Sequence, residues 1–490
     1  MQRQLLPIIN ILGFVIMLFG ATMLVPLGVS HVVGDAARSA YDESIFITLI
    51  AGLTLFVATR RFRRELMPRD GFLLVSLVWT TLPAFATLPL LFYFKQTGAP
   101  ISFTDAYFEA MSGMTTTGAT VLTGLEHLPP SINVWRHLLV WIGGMGIIVM
   151  AVAILPLLGV GGMQVYKAET PGPMKDAKLT PRITETAKGL YAVYLGISLA
   201  CFLSYRAAGM NTLDAFCHMA STMGLGGFST YDASFGQFNS PQIELVAIVF
   251  MTLAGFNFAM HFLAWRRRSL RAYVDCPEAR WYLLVMYAGV AVVAVFLWVK
   301  GVYPELLTAL RHAAFNVVSI ATTTGFASVD YEKWPAFAPI LMLFLCAIAT
   351  SAGSTGGGIK MMRAVIMFKL SKRELVRILH PRIVNPVKLG GSIVDSRVIL
   401  ATLAFMLIYG GTMILLTLIQ LASGLDPITA FTSIVACLNN TGPGLGQVGP
   451  ASNYQGLSDL QTWVCTAAML LGRLELFSVI VLFTPAFWRR

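Results

Sequence analysis

The chain has 490 residues, 56% of them hydrophobic and only 12% charged, with a formal net charge of +11. Water-soluble proteins carry about 25% charged residues, so this composition excludes a soluble globular chain and points to one facing lipid over most of its length. The positive charge is distributed too unevenly for a nucleic-acid surface, and six scattered cysteines and seven histidines show no disulfide or metal-ligand spacing.

A membrane-spanning helix needs about 20 apolar residues at roughly 1.5 Å rise each. Leu5–Gly28 carries no charge across 24 residues and Phe72–Phe94 none across 23. The first run exceeds the roughly 7–15 residues of a signal-peptide core and reads as a retained helix. Continuing along the chain, the apolar runs predict ten spans, near 5–28, 44–59, 71–94, 133–158, 189–207, 241–265, 279–299, 335–359, 395–421 and 458–486. Lys and Arg cluster in Arg60–Arg69, Lys167–Lys188, Arg266–Arg280 and Lys360–Arg397, while the loops around Arg38, Lys95, Arg206 and Lys300 hold few. That alternation is the positive-inside pattern and predicts both termini in the cytoplasm. Trp135, Trp281 and Trp488 sit near span ends, as interfacial anchors do.

Four outside segments are too apolar for ordinary loops. They align without gaps as DAYFEAMSGMTTTGAT (105–120), DAFCHMASTMGLGGFS (214–229), HAAFNVVSIATTTGFA (312–327) and TAFTSIVACLNNTGPG (429–444). Each places a glycine at its fourteenth position: Gly118, Gly227, Gly325 and Gly442. Recurrence at about 100 residues marks a repeat architecture. The predicted fold is an all-α polytopic membrane protein. A two-helix extension (1–70) precedes four helix–pore loop–helix units (71–165, 166–275, 276–390, 391–490), in pseudo-fourfold arrangement around one pore. Each segment has an apolar stretch of about ten residues, too short to span, which fits a half-helix that dips and returns as extended chain. Asp426-Pro427, Thr104 and Thr212 offer helix starts.

An ion leaving water needs its hydration shell replaced, and extended backbone can aim carbonyl oxygens at it. Glycine permits positive φ at little steric cost, and threonine favours extended chain while its hydroxyl adds an oxygen. Because no Asp or Glu lies in the small or polar cluster that ends each segment around its glycine, the oxygens are neutral and suit a weakly hydrated monovalent cation, potassium foremost. With TTTGAT at 115–120, GLGGFS at 224–229, ATTTGF at 321–326 and NNTGPGLG at 439–446, the chain resembles the Trk/Ktr/HKT superfamily of potassium transporters. Its length and two extra N-terminal helices resemble the bacterial TrkH-type branch. The resemblance implies ion-binding carbonyls just before each shared glycine. These are Thr116 and Thr117 before Gly118, Leu225 and Gly226 before Gly227, Thr323 and Thr324 before Gly325, and Asn440 and Thr441 before Gly442. The second segment lacks a threonine there, and the fourth carries Asn439, Asn440 and Pro443, so strict fourfold equivalence is not expected.

SAGSTGGGIK (351–360) interrupts the eighth predicted span. Gly353, Gly356, Gly357 and Gly358, with Ser354 and Thr355 between them, cannot hold a helix when each glycine costs about 1 kcal/mol against alanine. The segment unwinds beneath the pore loops, and the resemblance implies that it acts as a gate, ending at Lys360. A nucleotide-binding loop is a poorer reading: after Gly353 and Gly358 comes Ile359, with Lys360 one place late and no Ser or Thr behind it. Arg473, inside LLGRLELF, lies about twelve residues, or roughly 18 Å, from the inner end of the last span. It is expected either to bond the 351–358 loop and raise the cation barrier or to pair with Glu475. Gly143-Gly144-Met145-Gly146 fits close helix packing, His218 and His312 fit packing or a local hydrogen bond rather than metal binding, and His261 fits a structural role rather than a proton relay.

These features predict potassium uptake across a bacterial inner membrane by channel-like permeation. A proton- or sodium-coupled symporter is the alternative, and a membrane-embedded hydrolase lacks its nucleophile and base. The resemblance further implies a homodimer and a cytosolic TrkA-type nucleotide-binding regulator, so that NAD(H) or ATP would act only through that partner.

Overall fold

The computed structural model describes residues 2–62, 67–149 and 183–489, and nearly all of its regular structure is helical. Residues 150–158 of the fourth expected span, the expected unit boundary at 165–166 and residues 167–182 of one basic stretch lie outside the described residues. Helix α1 (Gln2–Thr22) continues past Met23 into α2 (Leu24–Val33), and α3 (Arg38–Thr59) returns beside it. A Cβ on Gly13 would strike the backbone of Gly52 and Phe56, so only small residues let these two helices approach so closely. Asn10 Nδ2 locks the crossing by donating to Phe56 O at 2.8 Å. Helices α4 (Pro68–Ala86) and α5 (Leu88–Gln96) form one apolar run jointed at Thr87, between Pro83 and Pro89, whose rings cannot sit undisturbed in a helix interior.

Four short helices follow at intervals. They are α6 (Phe103–Met114), α9 (Thr212–Gly224), α14 (Leu306–Ala321) and α18 (Pro427–Leu438), and their C-terminal halves are buried. Between them run α7 (Pro130–Val149) and α8 (Ile183–Ala207), then α10 (Pro241–Ala254), α11 (Phe258–Arg267), α12 (Arg271–Asp275) and α13 (Pro277–Val299). Next come α15 (Phe337–Ile348), α16 (Met361–Leu379), the hairpin β1 (Lys388–Leu389) and β2 (Ser392–Ile393), and α17 (Ser396–Ala422). After α18 the chain ends through α19 (Asp459–Arg473), α20 (Phe477–Ile480) and α21 (Pro485–Trp488).

Six helices among the described residues are long and apolar enough to cross a membrane, and up to eight if each of two bent pairs counts as one span. The bends are where the structure departs from straight spans at 241–265 and 458–486. Helices α10 and α11 meet at 91°, and α19 turns by 104° into Phe477–Phe483. At the first bend the Tyr282 hydroxyl stands where a Cβ on Gly255 would fall, and Asn257 caps α11 by accepting from Ala259 N–H at 2.9 Å. The second carries Glu475 and Leu476 at φ 57° and 51°, a left-handed pair that breaks the helix despite its apolar composition.

The helix starts also shift. Ser102 and Asn211, rather than Thr104 and Thr212, cap α6 and α9, accepting from Asp105 N–H at 3.0 Å and Asp214 N–H at 2.8 Å. In both, the aspartate three residues on accepts back from the capping side chain, a reciprocal bond that favours the earlier residue. Asp426 caps α18 ahead of Pro427, as the sequence indicates, with Thr429 N–H at 3.0 Å.

Candidate functional site

Each of the four short helices ends in the same way. Thr116, Leu225, Thr323 and Asn440 all take positive φ, between 53° and 59°, two residues before the aligned glycine. Their N–H groups bond the carbonyl three residues back, and the next residue's N–H bonds five back: Thr117 to Ser112, Gly226 to Ser221, Thr324 to Ser319 and Thr441 to Ala436, at 2.8–3.0 Å. This is the hydrogen-bond pattern of a left-handed helix terminus, and it spends the N–H groups on the helix behind them. Four non-glycine residues held in that region cost of order 1–3 kcal/mol each, a backbone that packing on every side must enforce.

The four termini touch in cyclic order. A Cβ on Gly118 would collide with Gly227, one on Gly227 with Thr324 O at 2.5 Å, one on Gly325 with Thr441 O, and one on Gly442 with Thr117 O at 2.7 Å. Any side chain at these positions would break the ring. Among the described residues, no donor reaches the carbonyls of Thr116, Thr117, Leu225, Thr323, Thr324, Asn440 or Thr441. The hydroxyls of Thr116 and Thr441 are likewise buried and unpartnered. Buried carbonyls and hydroxyls normally find partners, so this concentration of neutral oxygens without donors stands out, and oxygens of this kind have the chemistry to coordinate a cation. Two expected ligands differ: Gly226 O already accepts from Phe228 N–H at 2.7 Å, and Gly442 O from the Tyr454 hydroxyl at 2.7 Å. The fourth segment departs further, since Asn440 Nδ2 bridges Thr117 Oγ1 at 3.0 Å and Met469 O at 2.9 Å. All four aligned glycines also line one open vestibule, with Asp232 and Tyr454 on its wall.

Directly against this ring lies the non-helical segment 349–360 between α15 and α16. A Cβ on Gly357 would strike Asn439 O, and one on Gly356 would meet Thr322 O at 3.1 Å. Gly357 N–H donates to Thr323 Oγ1 at 2.9 Å, and Thr355 Oγ1 donates to Met223 O at 3.0 Å. The segment thus packs under the termini of α9, α14 and α18. It also fills the first bend, where Ser351 N–H donates to Gly255 O and Gly353 O accepts from Phe258 N–H at 3.1 Å. Gly353 and Gly358, at φ 76° and 80°, supply left-handed turns, and Lys360 adopts φ 76° at the segment's end.

Arg473 does not lie midway along a straight span: it closes α19 at the second bend. Its Nη1 donates to Thr355 O at 2.8 Å and its Nη2 to Gly143 O at 3.3 Å, with Trp79 facing the guanidinium. Glu475 pairs elsewhere, with Lys360 Nζ at 3.1 Å and Arg363 Nη2 at 2.6 Å. Ala352 N–H donates to the buried carboxylate of Glu278 at 2.7 Å, which fastens the other end of the segment. Gly143 packs on Met114 O and Gly144 on the Gly224 backbone, so the GGMG stretch does provide close approach. His218 and His261 hydrogen-bond locally, with Ser229 Oγ and Tyr273 OH among their partners. Sequence reasoning passed over Glu109, Arg136, Glu278 and Arg363. The available signal was a charge lodged within or beside an apolar run.

A family model described as TrkH, cation transport protein, matches residues 38–490. The chain is 46% identical over 484 residues to the Trk system potassium uptake protein TrkH of Halomonas elongata, covering 99% of each. It is 44% identical to the protein of that description in Escherichia coli K12, covering 98% of this chain and 99% of that one. The crystal structure of the potassium transporter TrkH from Vibrio parahaemolyticus is similar at a TM-score of 0.91 and 41% identity, covering 99% of this chain and all of that one.

Proposed function

Because this chain belongs to the TrkH family of cation transport proteins, and is a transporter rather than an enzyme, we propose that it takes up potassium across the bacterial inner membrane by channel-like permeation. The observation that carries this is the closed cycle of Gly118, Gly227, Gly325 and Gly442 together with the free neutral oxygens beside them. A potassium ion passing the ring exchanges water for main-chain oxygens, at a cost low enough for it to leave again. The membrane potential supplies about 2.3 kcal/mol per charge per 100 mV, enough to concentrate the ion about fiftyfold with no coupled ion. Segment 349–360, braced by Arg473, closes the path below.

The same reading divides the chain into a two-helix extension (1–70) and four pore units (71–165, 166–275, 276–390, 391–490), ten spans in pseudo-fourfold order with both termini cytoplasmic. It makes the working protein a homodimer controlled by a cytosolic TrkA-type partner, through which any NAD(H) or ATP would act. A symporter coupled to protons or sodium remains the rival. Rubidium uptake into proteoliposomes tests the core of the proposal. Gly118→Ser and Gly325→Ser are expected to lower the rate by about a hundredfold or more, since a side chain at a left-handed, backbone-packed glycine costs several kcal/mol. Unchanged uptake by folded variants would overturn it.

A further inference from the structure

In three of the four short helices, the residue nine places before the aligned glycine reaches past it and holds the outgoing strand. Glu109 accepts from Thr120 Oγ1 and Val121 N–H, each at 3.0 Å. His218 Nε2 meets Ser229 Oγ at 3.0 Å, and Asn316 bonds Ser328 through both N–H and hydroxyl, at 3.2 and 3.0 Å. In the fourth, Thr432, one place earlier, bonds Leu445 N–H at 2.9 Å and Leu445 O at 3.1 Å. The same mechanical task is therefore performed by a carboxylate, an imidazole and an amide at one position, and by a hydroxyl one place earlier in the fourth segment.

The first is unlike the rest because its brace extends to a neighbouring segment. Arg136 Nε donates to Glu109 Oε1 at 2.8 Å, and both side chains are 1% exposed. Arg136 Nη2 donates to Thr120 Oγ1 and Nη1 to Ser229 O, each at 3.3 Å, while the guanidinium lies 4.4 Å over the Phe228 ring. Thr120 is two residues beyond Gly118, and Ser229 two beyond Gly227. One buried ion pair thus ties the outgoing strands of two adjacent quarters of the ring together.

Resting on the potassium-uptake reading, we propose that Glu109 and Arg136 are positioning residues that set ion discrimination by fixing the distance between the first and second quarters of the carbonyl ring. A ring free to contract can wrap the smaller sodium ion, whereas one braced from behind keeps the wider potassium spacing. Arg136 also borders the vestibule, but its guanidinium is committed to Glu109, Thr120 and Ser229. The effect of the pair is carried by Thr120 and Ser229.

The test measures rubidium uptake by the full-length protein in proteoliposomes against increasing external sodium, with chain recovered in the membrane as the control for folding. The double variant Glu109→Gln/Arg136→Gln removes both charges together, so no unpaired ion is left buried. It is expected to carry rubidium with about tenfold greater sensitivity to sodium, the scale of one lost buried hydrogen bond. Arg136→Lys, which keeps the charge but cannot reach both strands, is expected to fall between. Should the double variant not reach the membrane, Thr120→Val, close in size and lacking only the hydroxyl, supplies the same reading. Glu244→Gln removes a comparable partly buried pair, Glu244–Arg311 at 2.7 Å, and is expected to leave the rubidium-to-sodium ratio unchanged. Wild-type sodium sensitivity in the double variant, or in Thr120→Val, would overturn the inference. A shift of equal size in Glu244→Gln would also overturn it, by making the effect one of general stability. A wild-type chain that carries no rubidium would instead fail the transport reading itself.

Discussion

Arg473 places a buried guanidinium where two backbone carbonyls, Thr355 O and Gly143 O, accept its hydrogen bonds, and no carboxylate among the described residues forms an ion pair with it. Two consequences separate by substitution. A cation about 8 Å away meets about 2 kcal/mol of repulsion at an effective dielectric of about 20. Arg473→Ala removes both that repulsion and the bond to segment 349–360, and partner-independent rubidium uptake should rise by about tenfold or more. Arg473→Lys retains the charge without the two-pronged contact, so its uptake should stay near the wild-type level if charge is the barrier. Gly357 gives a second handle. Its missing Cβ admits Asn439 O, so Gly357→Ala should push the segment from beneath α14 and α18 and raise the resting flux; reduced flux would place the segment elsewhere in the cycle.

At the scale of elements, segment 349–360 is a strap fastened at both ends by carboxylates from outside it. Glu278 holds Ala352 N–H at the start, and Glu475 holds Lys360 and Arg363 at the finish. The fastenings differ in energetic weight. Losing Glu475 leaves two cations without their partner, and breaking a buried pair costs about 3–5 kcal/mol. Glu475→Ala should therefore lower the melting temperature of the purified protein, the more so because the ion pairs hold Glu475 and Leu476 in their left-handed bend. Glu278→Gln keeps an acceptor and weakens only a charge-assisted bond. Its signature should be local: faster amide exchange at Ala352 with little change in melting temperature. A global increase in exchange would argue that Glu278 serves the fold at large.

Elements also show what the residues alone disclosed. The four termini were legible because the need for glycine is absolute where backbone packs on backbone, and that need repeats in register. The unwound segment was legible because four glycines in six residues leave no helix to form. The bends at Gly255 and at Glu475–Leu476 were not, because a hydropathy window records composition, whereas these breaks depend on what packs against them: the Tyr282 hydroxyl at one, Lys360 and Arg363 at the other. The caps Ser102 and Asn211 were misplaced by a residue or two for a related reason, since two cap-forming residues lie nearly side by side and only the reciprocal aspartate decides between them. Arg473 was recognisable as a charge in an apolar run, and the bond expected to the 351–358 segment is present at Thr355 O, whereas the turn of 104° beside it is one that no periodicity foretells.

For the whole molecule, the question is what drives the ion. Transport down the electrical gradient alone predicts that the current reversal potential follows the potassium gradient and does not move when pH is changed at fixed potassium. A shift of about 59 mV or less per pH unit would instead signal proton coupling, and a corresponding response to sodium would signal sodium coupling. Helices α1 and α3 cross through Gly13 and Gly52, and the backbone contacts of the four ring glycines involve neither of them.

The cyclic contact of Gly118, Gly227, Gly325 and Gly442 is made by one continuous chain, and each quarter has its own codons. A base change at Thr323 or Asn440 alters one side of the ring and leaves three intact, whereas in an assembly of identical subunits every mutation would strike all sides at once. On the potassium-uptake reading, preference among alkali ions can therefore change in small, asymmetric steps. The chemistry behind the four segments is correspondingly unequal: a carboxylate, an imidazole, an amide and a hydroxyl hold them.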